Sequence, residues 1–263
     1  ASAFAHGADG VPCALCAPAL DGRVGVGFDS VAAVQTTVSL EANSEKTVVF
    51  VFGECHTRDE ILKITQKYKG SVAAEYALER TRTFWQTFTG GIRVSTPEPS
   101  FDLMVNGWLL YQTAACRLFA RSAFYQAGGA FGFRDQLQDS LAMLHGAPAL
   151  TRSQILLHAA HQFVEGDVQH WWHPVSREDA GAEKGIRTKF SDDLFWLVYV
   201  TCEYIAVTGD RAILDEQVGY LESEPLDDET DERYETPRKS AQSDSLYRHC
   251  LRILTRGLST AYC

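Results

Sequence analysis

The chain has no apolar run approaching the roughly 20 residues that a membrane-spanning helix needs. It has no excess of positive charge either: 24 Lys and Arg stand against 34 Asp and Glu, a formal net charge of -10. That sign argues against a nucleic-acid or anionic-membrane partner and leaves a neutral or small ligand. The start, Ala1-Ser2-Ala3-Phe4-Ala5-His6, has neither the basic region nor the apolar core of a signal peptide, and no initiator Met, so the expectation is a chain that begins within a longer protein. No HExxH, Cys/His quartet, GxSxG elbow or P-loop is present. Gly128-Gly129-Ala130-Phe131-Gly132 follows a predicted helix rather than a strand, which removes the dinucleotide-binding reading.

Cysteine is present without being organised. Seven residues, Cys13, Cys16, Cys55, Cys116, Cys202, Cys250 and Cys263, are odd in number and scattered, which fits a reducing compartment rather than a disulfide framework. Cys13 and Cys16 have CxxC spacing, but no second pair accompanies them and no metal or redox site is expected there. His158 and His161 share a predicted helix, with His170 and His173 close behind; ordinary packing accounts for them as well as a metal does, and no metal site is expected.

What is present is a globular composition: 263 residues, 45% hydrophobic and 22% charged, enough for one large domain or two smaller ones. The negative charge is concentrated, since residues 222–235 carry eight acids against Arg233, or -7 of the -10. With Pro225 and Pro237 nearby, that segment is expected to be a solvated loop.

Residues 24–56 alternate apolar and polar (Val34, Thr36, Val38, Leu40), turn at Asn43-Ser44-Glu45 and resume as Thr47-Val48-Val49-Phe50-Val51-Phe52, which predicts an antiparallel hairpin. A lone hairpin is not stable, so the rest of its sheet is expected upstream of residue 1. Thr57-Arg58-Asp59-Glu60 has capping-box spacing for a helix ending at Gly70, and Ser71 is expected to cap a second helix that Gly90-Gly91 breaks. Beyond Pro97 and Pro99 the pattern predicts six helices, near 100–123, 135–145, 151–163, 191–208, 210–221 and 241–260, with Thr151 and Ser191 expected as caps. The connections at 124–134, 164–190 and 222–240 are long and the others short. If consecutive helices run antiparallel, all three long loops fall at one end, which is then the functional end.

Two of those loops carry the chemistry. Gly128 to Asp139 sets a glycine- and aromatic-rich loop against Arg134, Asp135, Gln138 and Asp139: rings to stack on and directional hydrogen bonds, the chemistry of a sugar site. Asp167-Val168-Gln169-His170-Trp171-Trp172-His173 places adjacent tryptophans between histidines, and Asp192 and Asp193 open the next predicted helix, where the helix dipole alone would favour acids.

Three runs resemble glycoside hydrolase family 94 in the family's order: Asn106-Gly107-Trp108-Leu109-Leu110-Tyr111-Gln112-Thr113; Arg121 to Gln126 leading into Gly132-Phe133-Arg134-Asp135-Gln136-Leu137-Gln138-Asp139; and Glu165 to His173. The similarity extends from about residue 20 to the end and is strongest toward the β-1,2-glucan branch, the phosphorylase-like region of cyclic β-1,2-glucan synthases and the β-1,2-oligoglucan phosphorylases. It implies a mainly α chain: the end of an antiparallel β-sandwich at 1–56, linker helices at 57–98, and at 99–263 the first half of an (α/α)6 barrel. The implied activity is inverting phosphorolysis of a β-glucan or gluco-oligosaccharide, releasing glucose 1-phosphate, with inorganic phosphate as co-substrate and no other cofactor. Arg134 and Asp139 would bond the transferred glucosyl unit, supported by Asp135 and Gln138. Asp167, Gln169, His170, Trp171, His173, Asp192 and Asp193 would line the same cleft.

An inverting phosphorylase needs one carboxylic acid to protonate the leaving oxygen while phosphate attacks the opposite face. The family's Gly-Asp-Trp-Asn-Asp-Gly type acid motif is not in this chain, and Ser243 to Cys250 resembles the helix preceding it, so the general acid is expected downstream of Cys263 with the phosphate-binding residues. The expectation is therefore a fragment, inactive alone, that keeps part of a donor-sugar site. A non-catalytic carbohydrate-binding protein is the alternative. The resemblance further implies a cytoplasmic parent, tethered to the inner membrane if a cyclic glucan synthase, with room for a homo-oligomer. Half a helical ring is also expected to expose apolar faces.

Overall fold

The computed structural model describes residues 17–20, 22, 33–53, 55, 57–120, 129–174 and 182–260. Cys13, Cys16, Gly128, Cys263 and the run from Arg121 to Gln126 lie outside them. About half of the described chain is helical, with two small antiparallel sheets.

The predicted hairpin forms its turn and not its ladder. Asn43 takes a left-handed conformation (φ 60°) and the Ser44 amide donates to the Glu41 carbonyl at 3.2 Å, yet residues 33–40 and 46–53 carry no strand pairing and Val34, Leu40, Phe50 and Phe52 are exposed. A two-stranded ribbon with one apolar face needs a further strand or layer to cover it, and the described residues provide none.

Helices α1 (Arg58–Lys67) and α2 (Ser71–Thr89) follow their local signals. The Thr57 hydroxyl accepts from the Glu60 amide and the Glu60 carboxylate accepts from the Thr57 amide, both at 3.3 Å, so the capping box satisfies two donors that the first turn leaves open. Gly70, not Ser71, is the N-cap of α2, and no side chain bonds there. Neither helix buries a residue completely; Trp85 and Phe88 lean on a small cluster of Leu110, Ala114, Leu118 and Met143. The next helical stretch runs as α3 (Pro99–Leu103), a π-turn (Met104–Trp108), α4 (Leu109–Gln112) and a second π-turn (Thr113–Phe119). Asn106 is structural: its side chain exchanges two hydrogen bonds with the Val94 backbone, at 2.7 and 2.9 Å, and holds the connecting segment against the helix.

From residue 129 onward the chain builds its main core. Helices α5 (Phe133–Ser140), α6 (Pro148–Ala159), α7 (Phe195–Thr208) and α8 (Leu246–Thr260) close around Phe133, Leu137, Ile155, Trp172, Leu197, Leu246 and Ile253, all fully buried or nearly so. Each such side chain contributes on the order of 1.5–3 kcal/mol by leaving water. Helix α6 starts at Pro148, ahead of the expected cap; Thr151 is instead a buried cross-link, donating to the Ser140 carbonyl at 2.8 Å. Helix α7 starts at Phe195, and residues 191–194 form a turn, so Ser191 is not its cap.

The fifth predicted helix does not exist. The Asp210 carboxylate accepts from the Ala212 amide at 3.1 Å and caps a single 3-10 turn, Arg211–Asp215, after which β4 (Gln217–Glu222) buries Val218, Tyr220 and Leu221. It pairs antiparallel with β6 (Arg238–Ser245), which pushes the start of α8 to Leu246. Residues 217–220 alternate with period two, and that short signal outweighed the helical one.

Candidate functional site

The three long connections meet, as strands rather than loops. The first supplies β1 (Phe131–Gly132), the second β2 (Gln169–Trp172) and β3 (Gly185–Thr188), the third β5 (Glu232–Glu235), and they pair antiparallel in the order β1-β2-β3-β5. The acidic segment is thus partly structured, with β5 as an edge strand. Gly185 is required by close approach: a Cβ there would run into the Trp171 carbonyl.

A β-bulge decides what the sheet presents. Gln169 pairs with Arg187 and Trp171 with Ile186, leaving His170 as the extra residue. Bulges re-aim side chains. Here the bulge lets Trp172 enter the core while Trp171 faces outward, and it turns His170 toward Asp193.

A cleft of about 760 Å³ opens beside this sheet, lined by Ala130, Gly132, Arg134, Asp135, Gln138, His170, Trp171, His173, Phe190, Asp192 and Asp193. That volume falls in the range of about 300–1,000 Å³ for small-molecule sites. Arg134 pairs with Asp192 at 2.6 Å, both about half exposed, and its guanidinium lies over the Trp196 ring at 5.3 Å. Asp193, 3% exposed, hydrogen-bonds His170 Nδ1, and the His170 ring lies 4.9 Å from that of Phe190. Burial pushes the His170 imidazole down, but the hydrogen bond and charge of Asp193, with Asp135 and Asp192 behind it, outweigh burial and hold its pKa above the ordinary value. Gly132 makes room for a carboxylate: a Cβ there would stand 2.7 Å from Asp135 Oδ2. The cleft therefore combines a guanidinium, a histidine biased toward its cation, three carboxylates, an amide and two aromatic faces, a set suited to a polyhydroxylated ligand.

Eight of the eleven nominated residues line this cleft and three do not. Asp139 is turned away to Arg117, whose Nε donates to it at 2.7 Å. Gln169 is fully buried and donates to the Glu183 carbonyl at 3.0 Å. Asp167 takes a two-pronged bond from Arg187, Nε to Oδ2 at 2.7 Å and Nη2 to Oδ1 at 2.8 Å. Arg187, 1% exposed, also reaches Glu165 at 2.9 Å and Ser223 Oγ at 3.0 Å and lies 3.9 Å over the Phe163 ring, so it clasps the second and third connections together beneath the cleft. Ala130, Gly132 and Phe190 line the cleft without having been nominated. Phe190 sits two residues after β3 and just before Asp192, a position that neighbouring polar residues alone did not mark.

His158 and His161 serve the core. His158 Nδ1 bonds the Gln154 carbonyl at 2.7 Å and its ring lies between Phe133 and Trp172, while His161 stacks on Trp172 at 3.7 Å. Among the described residues no three His, Cys, Asp or Glu side chains gather as a metal site, and no helix is long and apolar enough to cross a membrane.

Comparison with known proteins places both halves of the chain. The catalytic domain of the glycosyl hydrolase 94 superfamily matches residues 84–257, which include every cleft-lining residue, and the glycosyl hydrolase 94 supersandwich domain matches residues 7–71. The chain is 43% identical over 235 residues to the cyclic beta-(1,2)-glucan synthase NdvB of Rhizobium meliloti, covering 89% of this chain and 8% of that protein. It is 26% identical over 206 residues to the N,N'-diacetylchitobiose phosphorylase of Vibrio proteolyticus (70% of this chain, 26% of that protein). With the solabiose phosphorylase of Paenibacillus borealis it shares 26% identity over 194 residues (74% and 23%). The chain thus spans between 8% and 26% of the length of these relatives.

Proposed function

Since the chain belongs to the glycosyl hydrolase 94 superfamily, we propose that its cleft holds the glucosyl unit transferred by an inverting glycoside phosphorylase acting on a β-1,2-linked glucan. Inorganic phosphate is the co-substrate, and glucose 1-phosphate the product of the complete protein. Helices α3 to α8 belong, in this reading, to an (α/α)6 barrel, residues 1–56 to the end of a β-sandwich and 57–98 to the linker. The general acid and the phosphate-binding residues are supplied by sequence outside these 263 residues, and the cleft's contribution is to bind and orient the sugar. Support for the linkage comes from the 43% identity to a protein named for it. The uncovered faces of α7, where Tyr199 and Val207 are exposed on an otherwise apolar helix, are what a partial ring would leave.

The observation that carries the assignment is the convergence of eight side chains on one cleft from three separate segments: Arg134, Asp135 and Gln138 from α5, His170, Trp171 and His173 from β2 and the residue after it, and Asp192 and Asp193 from the turn before α7. Arg134 and the aspartates supply donors and acceptors for hydroxyls, and Trp171 and Phe190 supply faces for the apolar side of a pyranose ring. Asp193 fixes the orientation of His170 and favours its protonated form.

Calorimetric titration of β-1,2-gluco-oligosaccharides into the wild-type chain and Arg134→Ala tests it. A hydrogen bond from a charged donor is worth about 1.5–3 kcal/mol, so affinity should fall by about 10- to 100-fold. Equal affinities for the two proteins would refute the assignment. The same preparation should release no glucose 1-phosphate when phosphate is added, and release would overturn the division of labour proposed above.

A further inference from the structure

The four-stranded sheet has two faces of different character. Trp172 and Arg187 point inward, and both are buried to within 1%. On the other face, Trp171, Ile186 and Tyr234 stand in one cross-strand row, because Trp171 pairs with Ile186 and Ile186 with Tyr234. Trp171 is a wall of the cleft, and its ring lies 5.4 Å from that of Tyr234, tilted by 42°. Tyr234 is 47% exposed although it stands in the most acidic segment of the chain, on the edge strand β5. Around the row stand donors: Lys184 Nζ lies 4.3 Å over the Tyr234 ring, and the His173 ring lies 5.4 Å from Trp171.

We infer that this row is a second sugar-binding surface, continuous with the cleft, on which further units of the glucan chain rest after leaving the unit held by Arg134. The inference builds on the carbohydrate reading of the cleft and extends it to chain length. Two strand spacings, roughly 9.5 Å, separate the backbones that carry the two rings, enough to lead an oligosaccharide from the cleft to the sheet edge. Aromatic faces take the C–H side of a sugar ring, and Lys184 and His173 offer hydrogen bonds to its hydroxyls. Lys184 is exposed, so its flexible chain can swing off the ring to make that bond. The exposed acids beside Tyr234, Asp231 and Glu232, suit a neutral glycan and repel anionic polymers.

The test is affinity as a function of length, from the β-1,2-linked disaccharide to the hexasaccharide, for wild type, Tyr234→Ala, Tyr234→Phe and Arg134→Ala. Wild type should tighten with length. Tyr234→Ala should bind the hexasaccharide about 3- to 10-fold more weakly while leaving the disaccharide within twofold, and Tyr234→Phe should behave as wild type. A thermal melt of Tyr234→Ala within a few degrees of wild type excludes a general loss of fold. Affinity independent of length in wild type, or a length gain that survives Tyr234→Ala, would overturn the inference. The cleft assignment fails differently, by Arg134→Ala leaving the disaccharide unaffected.

Discussion

Residues 57–120 and residues 129–260 are both rich in helix, and they hold their helices for different reasons. In the first region α1, α2 and α3 bury no residue, and what shapes them is local: the Thr57/Glu60 box, Pro99 at the start of α3, and the side-chain clasps of Asn106 and Asp102. In the second, α5 to α8 share a continuous core, and the strands between them are fixed by partners 14 to 36 residues away, such as Glu183 for Gln169 and Ser223 for Arg187. Local signals suffice to shape a helix, whereas a cleft has to be held by side chains that are distant in sequence. The cleft accordingly lies in the second region.

The largest effect should come from the clasp that defines the difference. Arg187→Ala strands Asp167 in a buried setting and unties Glu165 and Ser223, and breaking a buried pair costs about 3–5 kcal/mol. The denaturant midpoint should fall accordingly, with the slope unchanged. The double variant Arg187→Met, Asp167→Leu should regain more than half of the loss, because the only carboxylate left without its partner, Glu165, is partly open to water. If Arg187→Ala melts like wild type, the sheet is held by its backbone ladder alone and the contrast between regions disappears.

A paired truncation sharpens the same contrast at intermediate size. Leu197→Ala empties a wholly buried site in α7 and should cost about 2–5 kcal/mol. Leu78→Ala, at a position 51% exposed in α2, should stay within about 0.5 kcal/mol in the same chemical denaturation. Comparable losses at the two positions would mean that α2 is covered in solution.

These contrasts explain what could be read in advance. The capping box at Thr57, the helices α1, α2, α6 and α7 and the gathering of the long connections were legible, because spacing and connection length are properties of the chain itself. The strand β6 was not: Arg238 to Ser245 has no apolar alternation, and only β4 across from it makes it a strand. Asp139, Asp167 and Gln169 read as cleft residues because their polar character was visible and their partners Arg117, Arg187 and the Glu183 carbonyl were not. The bulge at His170 could not be read either, since alternation along Gln169 to Trp172 leaves the register open.

The smallest expected effect, and the most discriminating, is the dependence of stability on pH, because the cleft and the core contribute opposite limbs. Burial pushes the His249 imidazole down, its Nε2 meeting the Val218 carbonyl at 3.1 Å and its ring stacking on Tyr220 at 4.0 Å. The unfolded chain therefore binds more protons at this residue than the native one, and stability falls as pH drops below the ordinary histidine value of about 6.5. His170 is the reverse: raised by Asp193 against its own burial, it binds more protons when folded, so its contribution is complete below about 6.5 and is lost as pH rises through its folded value. Stability should peak near the ordinary value, with an acid limb owned by the core and an alkaline limb owned by the cleft. Denaturant midpoints measured across this range should lose only the alkaline limb in His170→Gln and only the acid limb in His249→Phe. If either variant flattened both limbs, the two histidines would titrate as one coupled system and the separation of cleft from core would be wrong.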